Sequence, residues 1–246
     1  MSKTERQPTA LLTSLTGRIA LVTGGNRGIG LAIATALVNA GAQVIVTGRD
    51  VQALKRAGKS LGANATPVRC DVRNIKDVKA LFTTIKKRFG KLDFLINNAG
   101  TAHELKSIAE LPLDTWHAAI DANLTGLFFV TQTALPLMSA GGVIVNNLSI
   151  AALQPFSGMA AYNAAKAGAL GFTNTLRLEL RSRGIRVTAL VPGAVDTEIW
   201  RQFWPDAPRD KMLSPVTVAE AVLHVLRLPS GTTIEQLHVG PTSGAL

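Results

Sequence analysis

Ile19-Ala20-Leu21-Val22-Thr23 runs directly into Gly24-Gly25-Asn26-Arg27-Gly28-Ile29-Gly30, and an apolar helical pattern continues to Ala40. Residues 19–23 show no alternation of polar and apolar positions, so they read as a strand buried on both faces. A turn this tight needs residues without a Cβ. A pyrophosphate can approach the backbone only where side chains are absent, beside the positive end of the helix. The key glycines fall at 24, 28 and 30, not in the common G-x-G-x-x-G spacing. A glycine cluster alone says little, but its place after the first strand of a βα unit points to a dinucleotide site. The competing reading is a helix N-terminus that merely turns tightly.

Outward from this turn, runs rich in Val, Ile and Leu recur at 19–23, 43–47, 66–70, 94–97, 142–148, 186–191 and 236–239. Helical patterns fill 29–40, 51–61, 75–89, 113–139, 159–183 and 216–228. Strands almost uniformly apolar and separated by helices belong to a parallel sheet buried on both faces. The alternation continues without a linker or an internal repeat. The predicted fold class is α/β: a single doubly wound, Rossmann-type domain over 17–246, with a seven-stranded, mostly parallel sheet and helices on both faces. Its ligand is expected at the carboxyl ends of the strands, near the topological switch. Residues 1–16 lack a long apolar core followed by a cleavage pattern and read as a flexible tail, not a signal peptide.

The chain has 246 residues, ample for a buried core, with 47% hydrophobic and 17% charged residues as in soluble globular proteins. No stretch of about 18 apolar residues lacks a charge or turn signal, so no membrane span is expected. The single cysteine, Cys70, excludes an internal disulfide and fits a reducing cytoplasm. It reads as a small buried strand residue. A net charge of +10 raises the question of nucleic acid. The cations are spread along the chain without an aromatic platform, so solvated helix faces are expected, with a general attraction for anionic cofactors or substrates. No metal site is expected.

The second strand ends Val46-Thr47-Gly48-Arg49-Asp50. A carboxylate there would bind a ribose 2′-hydroxyl and repel a 2′-phosphate. Gly48 vacates that place, Arg49 can form paired hydrogen bonds to phosphate, and Arg27 offers a second cation. NADP(H) is therefore expected over NAD(H). Asp50 argues the other way, but as an N-cap it has a structural job.

Tyr162, the only tyrosine, precedes Lys166 by four residues in an Ala-rich helical stretch, which stacks the two on one face. A neighbouring cation favours the phenolate. An unperturbed phenol titrates near ~10, so proton transfer near neutrality needs about 3–4 kcal/mol of help. One lysine supplies only part of that; an oxidised nicotinamide could supply more.

Together, Thr23-Gly24-x3-Gly28-x-Gly30, Asn97-Asn98-Ala99-Gly100, Ser149, Tyr162-x3-Lys166 and Pro192-Gly193 resemble the short-chain dehydrogenase/reductase family, in the expected order and over about 17–197. The resemblance implies that Tyr162 is the general acid/base, that Lys166 lowers its pKa and bonds the nicotinamide ribose, and that Ser149 holds the substrate oxygen. Asn123 would keep a water beside the lysine and complete a proton relay. Cofactor contacts are implied at Thr23, Gly24, Asn26, Arg27, Gly28, Ile29 and Gly30 in the turn and at Arg49. Asp71 would meet the adenine with Val72 beside it, while Asn98, Ala99 and Gly100 line the adenosine ribose and the floor. Pro192, Gly193, Val195 and Thr197 would orient the carboxamide, alongside Tyr162 and Lys166. Asn97 could instead be structural, tying neighbouring strands together.

Beyond Thr197 the resemblance weakens. Trp200, Phe203 and Trp204 fall in a segment, 197–213, that reads either as an aromatic lid over a hydrophobic substrate or as rings packed on the core or a subunit interface. The C-terminus lacks the Asp-Gly-Gly ending common in tetrameric members, so a homodimer through the helices at 113–139 and 159–183 stands beside the homotetramer. Met138-Ser139-Ala140-Gly141-Gly142 lacks the basic residues with which 3-oxoacyl-[acyl-carrier-protein] reductases meet their carrier, though Arg183 remains. The expected function is cytoplasmic, NADP(H)-dependent interconversion of a ketone or aldehyde and an alcohol. The alternatives are a 3-oxoacyl-[acyl-carrier-protein] reductase-like enzyme and a non-catalytic NADP(H)-binding regulatory protein.

Overall fold

A computed structural model describes residues 14–244. Strands β1 (Ile19–Val22), β2 (Gln43–Gly48), β3 (Ala65–Arg69), β4 (Phe94–Asn97), β5 (Val143–Asn147), β6 (Arg186–Pro192) and β7 (Gln236–Val239) form one sheet in the order β3-β2-β1-β4-β5-β6-β7. Every pairing is parallel, so the sheet is parallel throughout. Leu21 stands beside Ile45 on one side and Leu95 on the other. Pro67, which has no N–H to give a ladder, lies in the edge strand β3.

Helices α1 (Gly28–Asn39), α2 (Val51–Leu61) and α7 (Pro215–Arg227) cover one face of the sheet, while α3 (Ile75–Phe89), α5 (Gly126–Ala134) and α6 (Ala160–Leu180) cover the other. Alternate strand residues feed the two cores. Ala20, Val22, Val44 and Ile96 meet Ile33, Leu37 and Val222, whereas Leu21, Ile45, Leu95 and Ile144 meet Val78, Leu81 and Leu176. Both faces are apolar because both are covered. Asp50 caps α2 by accepting the N–H groups of Gln52 (2.8 Å) and Ala53 (3.0 Å), the structural role anticipated for it.

The helix expected over 113–139 is interrupted. α4 (Leu113–Ile120) passes into a π-helical turn, Asp121–Thr125, before α5, and a 3₁₀ turn at Leu135–Leu137 containing Pro136 ends the run. Within the π turn the Asn123 amide donates to the Ala119 carbonyl at 2.9 Å, so a side chain satisfies an acceptor at the irregular turn. Of the tail expected over 1–16, residues 1–13 lie outside the described residues. At its end Leu15 is 4% exposed and donates its N–H to the Ala40 carbonyl at 2.8 Å, so the packed chain begins before Gly17. β1 neighbours β2 on one side and β4 on the other, and the loops leaving β1 and β4 diverge to open a crevice at the switch point.

Candidate active site

That crevice is a cleft of about 1230 Å³ across the carboxyl ends of the strands. Its floor starts with the glycine turn, where Gly24 (φ 62°) and Gly28 (φ 52°) take left-handed backbone that a side chain disfavours. At Gly30 the requirement is space: a Cβ would collide with the Asn98 amide nitrogen and the Gly24 carbonyl oxygen. The Thr23 hydroxyl accepts the N–H groups of Asn98 (2.9 Å) and Ala99 (3.0 Å). In return Asn98 Nδ2 donates to the carbonyls of Thr23 (3.0 Å) and Gly24 (3.2 Å). Gly24, Asn26, Arg27, Gly28 and Ile29 line the cleft, as do Asn98, Ala99 and Gly100. Thr23 and Gly30, expected among the cofactor contacts, do not; they set the cradle's shape from behind. Asn97 is a strand tie, donating to Asn146 Oδ1 and Thr131 Oγ1, each at 2.9 Å.

At the end of β2, Asn26 Oδ1 lies 2.7 Å from where a Cβ on Gly48 would be. The space a ribose-binding acid needs is thus filled by an amide. Arg27 and Arg49 line the same end of the cleft with Arg56, a third cation absent from the sequence-based set. Arg27 Nη1 lies 3.5 Å from Glu198 Oε2, and both side chains are more than half exposed, so this pair is weak and readily exchanged. After β3, Arg73 grips the Asp71 carboxylate through Nη2 (2.7 Å) and Nε (3.0 Å). These bonds hold Asp71 below the usual carboxylate range, against burial, which pushes the other way. Val72 is buried beside it, against Gly126.

The residues expected to carry the chemistry line the same cleft. Ser149 follows β5, and its Oγ accepts the Ala151 N–H at 3.1 Å, capping a 3₁₀ turn and leaving its own hydrogen free to donate. Tyr162 sits in the first turn of α6 and Lys166 one turn later, with Nζ 5.6 Å from the phenol ring centroid. Nζ donates to the Asn147 carbonyl at 3.0 Å. Burial pushes the ammonium down to about 8. The phenol, contrary to expectation, is raised: burial outweighs the Ser149 hydroxyl, which acts to lower it. Lys166 stands over the ring face and is bonded to a backbone carbonyl, so it does not by itself overcome that penalty. Asn123 is only 2% exposed. Its amide donates to the Thr101 carbonyl (2.9 Å), and its Oδ1 accepts the Thr101 N–H (3.3 Å).

After β6, Pro192, Gly193, Val195 and Thr197 line the cleft, with Thr197 Cγ2 3.2 Å from the place of a Gly28 Cβ. A parallel bridge between Val195 and Leu213 closes the following segment on itself. Inside it Trp200 stacks on Phe203 at 4.8 Å and nears Trp204 at 6.2 Å. All three rings line the cleft, and Trp200 Nε1 donates to the Val195 carbonyl at 2.8 Å. Gln202 Oε1 accepts from Thr101 Oγ1 (3.3 Å) and the Ala102 N–H (3.2 Å). Sequence reasoning missed Arg56, Arg73 and Gln202 on the cleft wall, and His103, whose Nε2 accepts the Tyr162 N–H at 3.4 Å. Only Arg73 left a local signal, two residues after Asp71; the others meet the site through folding alone.

The sequence profile described as short chain dehydrogenase matches residues 18–208. An uncharacterised oxidoreductase of Staphylococcus aureus strain MW2 is 36% identical over 94% of this chain and 100% of its own. A short-chain dehydrogenase from Burkholderia cenocepacia J2315, solved in complex with NADP, superposes with a TM-score of 0.85 at 31% identity, covering 92% of this chain and 98% of its own. A 3-ketoacyl-(acyl-carrier-protein) reductase from Brucella melitensis, solved with NADH, gives a TM-score of 0.85 at 30% identity, covering 92% and 98%. The chain belongs to the short-chain dehydrogenase/reductase family and is an oxidoreductase.

Proposed function

We propose that the chain interconverts a ketone or aldehyde and an alcohol by NADP(H)-dependent hydride transfer, with a fairly apolar substrate held under the aromatic segment. The observation that carries this reading is the convergence in one cleft of Ser149, Tyr162 and Lys166 with the glycine cradle and the cations Arg27, Arg49 and Arg56. The cradle is empty of side chains where a pyrophosphate would lie, and Asn26 fills the acid's place at Gly48, so the residues fit NADP(H). When bound, the nicotinamide supplies or accepts the hydride at the carbonyl carbon. Tyr162 gives its proton to the carbonyl oxygen as that oxygen gains charge, or takes one from the alcohol in reverse. Ser149 donates its free hydrogen to the same oxygen. Lys166, protonated at neutrality because its value is about 8, favours the phenolate left behind. Asn123 would serve the reprotonation route; its nearness to Lys166 supports this, with Oδ1 2.5 Å and Lys166 Nζ 3.8 Å from the position of a Gly100 Cβ.

A panel of ketones and aldehydes assayed with NADPH and with NADH tests the reading. Consumption of NADPH is expected to exceed that of NADH. Tyr162→Phe is expected to lower turnover by about 10²- to 10⁴-fold while leaving NADPH binding largely intact. Retained turnover by the variant, or tight binding without consumption across the panel, sinks it; the latter outcome belongs to a regulatory protein. Reduction of a carrier-bound 3-oxoacyl thioester is a second reading, favoured by the likeness to the Brucella enzyme. Against it, Arg183, though exposed, is tied back to its own chain, with Nη2 donating to the carbonyls of Leu135 (2.7 Å) and Met138 (2.9 Å). We also propose a cytoplasmic location and a homodimer, with a homotetramer as the alternative.

A further inference from the structure

The loop at 101–106, which carries no motif, touches three separate parts of the site. Thr101 exchanges hydrogen bonds with Asn123 of the π turn, and Ala102 donates to Gln202 of the aromatic segment. Lys106 donates its N–H to the Gly158 carbonyl (3.0 Å), just ahead of α6. His103 lies in the middle of this loop and is 7% exposed. Its Nδ1 is 2.7 Å from the Glu104 carbonyl oxygen. A carbonyl can only accept, so Nδ1 carries the proton and Nε2 presents a lone pair. That lone pair faces the backbone N–H of Tyr162 at 3.4 Å. The first N–H groups of a helix have no partner inside it, and Met159, at the N-cap of α6, supplies no side-chain acceptor. An imidazole from a distant loop therefore does the work that a capping serine or aspartate does elsewhere.

We propose that His103 is a positioning residue for the catalytic tyrosine: its neutral imidazole caps the first turn of α6 through the amide of Tyr162 and fixes where the phenol stands relative to Ser149 and Lys166. The role rests on Tyr162 acting as the proton donor. The phenolic oxygen is the atom of that residue farthest from its backbone, so a small tilt of the first turn is magnified there. A misplacement of about 1 Å at a reacting group can cost on the order of 10²-fold in rate. A capping serine at the N-cap would hold the helix but leave the loop free; His103 ties the helix to the same loop that holds Asn123 and Gln202.

His103→Phe keeps a ring and removes the acceptor, and His103→Gln returns an acceptor oxygen. Because Tyr162 is the only tyrosine, alkaline titration of the tyrosinate absorption band reads this one phenol without substrate. In His103→Phe, kcat for ketone reduction is expected to fall about tenfold while KM and the NADPH dissociation constant stay within about twofold. The tyrosinate midpoint is expected to rise as the Ser149 contact loosens. His103→Gln should bring both quantities back toward the parent. Parent-like kcat and midpoint in His103→Phe overturn the proposal, as does a loss that glutamine does not restore. If His103→Phe does not fold, His103→Ala gives the same comparison. If the parent reduces no carbonyl on the panel, the functional reading fails by itself, and the tyrosinate midpoint still decides the role of His103.

Discussion

Burial shifts Tyr162 up and Lys166 down, each toward its neutral form, yet at neutral pH Lys166 remains an ammonium because its value is about 8. For Lys166 the sign is definite. Its folded value is about 8 against 10.5 for the free side chain, so between those two values the unfolded chain binds more protons and stability rises with pH. Below about 8 the penalty is present in full. Lys166→Met removes it, and thermal unfolding followed from neutral pH upward should show the parent gaining on the variant until the phenol begins to ionise. The expected gain is on the order of 2–3 kcal/mol. Parallel melting curves across that range would rule it out. The variant should also lose turnover, so the same ammonium that weakens the fold serves the chemistry.

At the scale of elements, the β1-turn-α1 unit is the tightest fit in the site. Gly30→Ala forces a methyl against the Asn98 amide and the Gly24 carbonyl, one of them backbone, and overpacking of this kind costs about 1–3 kcal/mol. Because Asn98 bonds Thr23 and Gly24, NADPH affinity should fall with stability, measurable by fluorescence titration beside a melting curve. Unchanged affinity would mean the cradle relaxes freely. This unit was legible in the sequence because a tight strand-to-helix turn with left-handed backbone at Gly24 and Gly28 is a local demand, although the partner that crowds Gly30, Asn98, comes from a distant strand end. The Tyr162-Lys166 pair was legible for the same reason, being fixed by helical periodicity. The π turn was not, since one extra residue in a helical turn leaves an apolar pattern nearly unchanged. Nor were His103, in a loop, and Gln202, at the end of a 3₁₀ turn, which meet the site only because β4 and β6 flank β5. The phenol's raised value escaped too, because sequence gives spacing but not burial.

Across the whole molecule, α5 and α6 leave an apolar stripe in the open. Phe128 is 39% and Leu178 63% exposed, and Gly171 has nothing within 4 Å of where a Cβ would be. Phe128 meets Phe172 edge-on at 6.1 Å. A second copy of the chain fits such a surface better than water does. Sedimentation is expected to show the parent as a dimer and Leu178→Glu as a monomer with NADPH binding intact; a monomeric parent removes the proposed assembly.

The bridge from Val195 to Leu213 has a further consequence. It closes the aromatic segment as a loop whose ends already touch, with Asp196 N–H donating to the Leu213 carbonyl and Leu213 N–H to the Ala194 carbonyl, each at 2.9 Å. A loop closed at its base can be cut out and replaced at low entropic cost, since the distance it must span does not change. The chain is in this sense a chassis with an interchangeable part: Ser149, Tyr162 and Lys166 lie outside the loop, and the rings proposed to cover the substrate lie inside it. Grafting a relative's segment between Asp196 and Met212 is the natural way to give this scaffold a new preference.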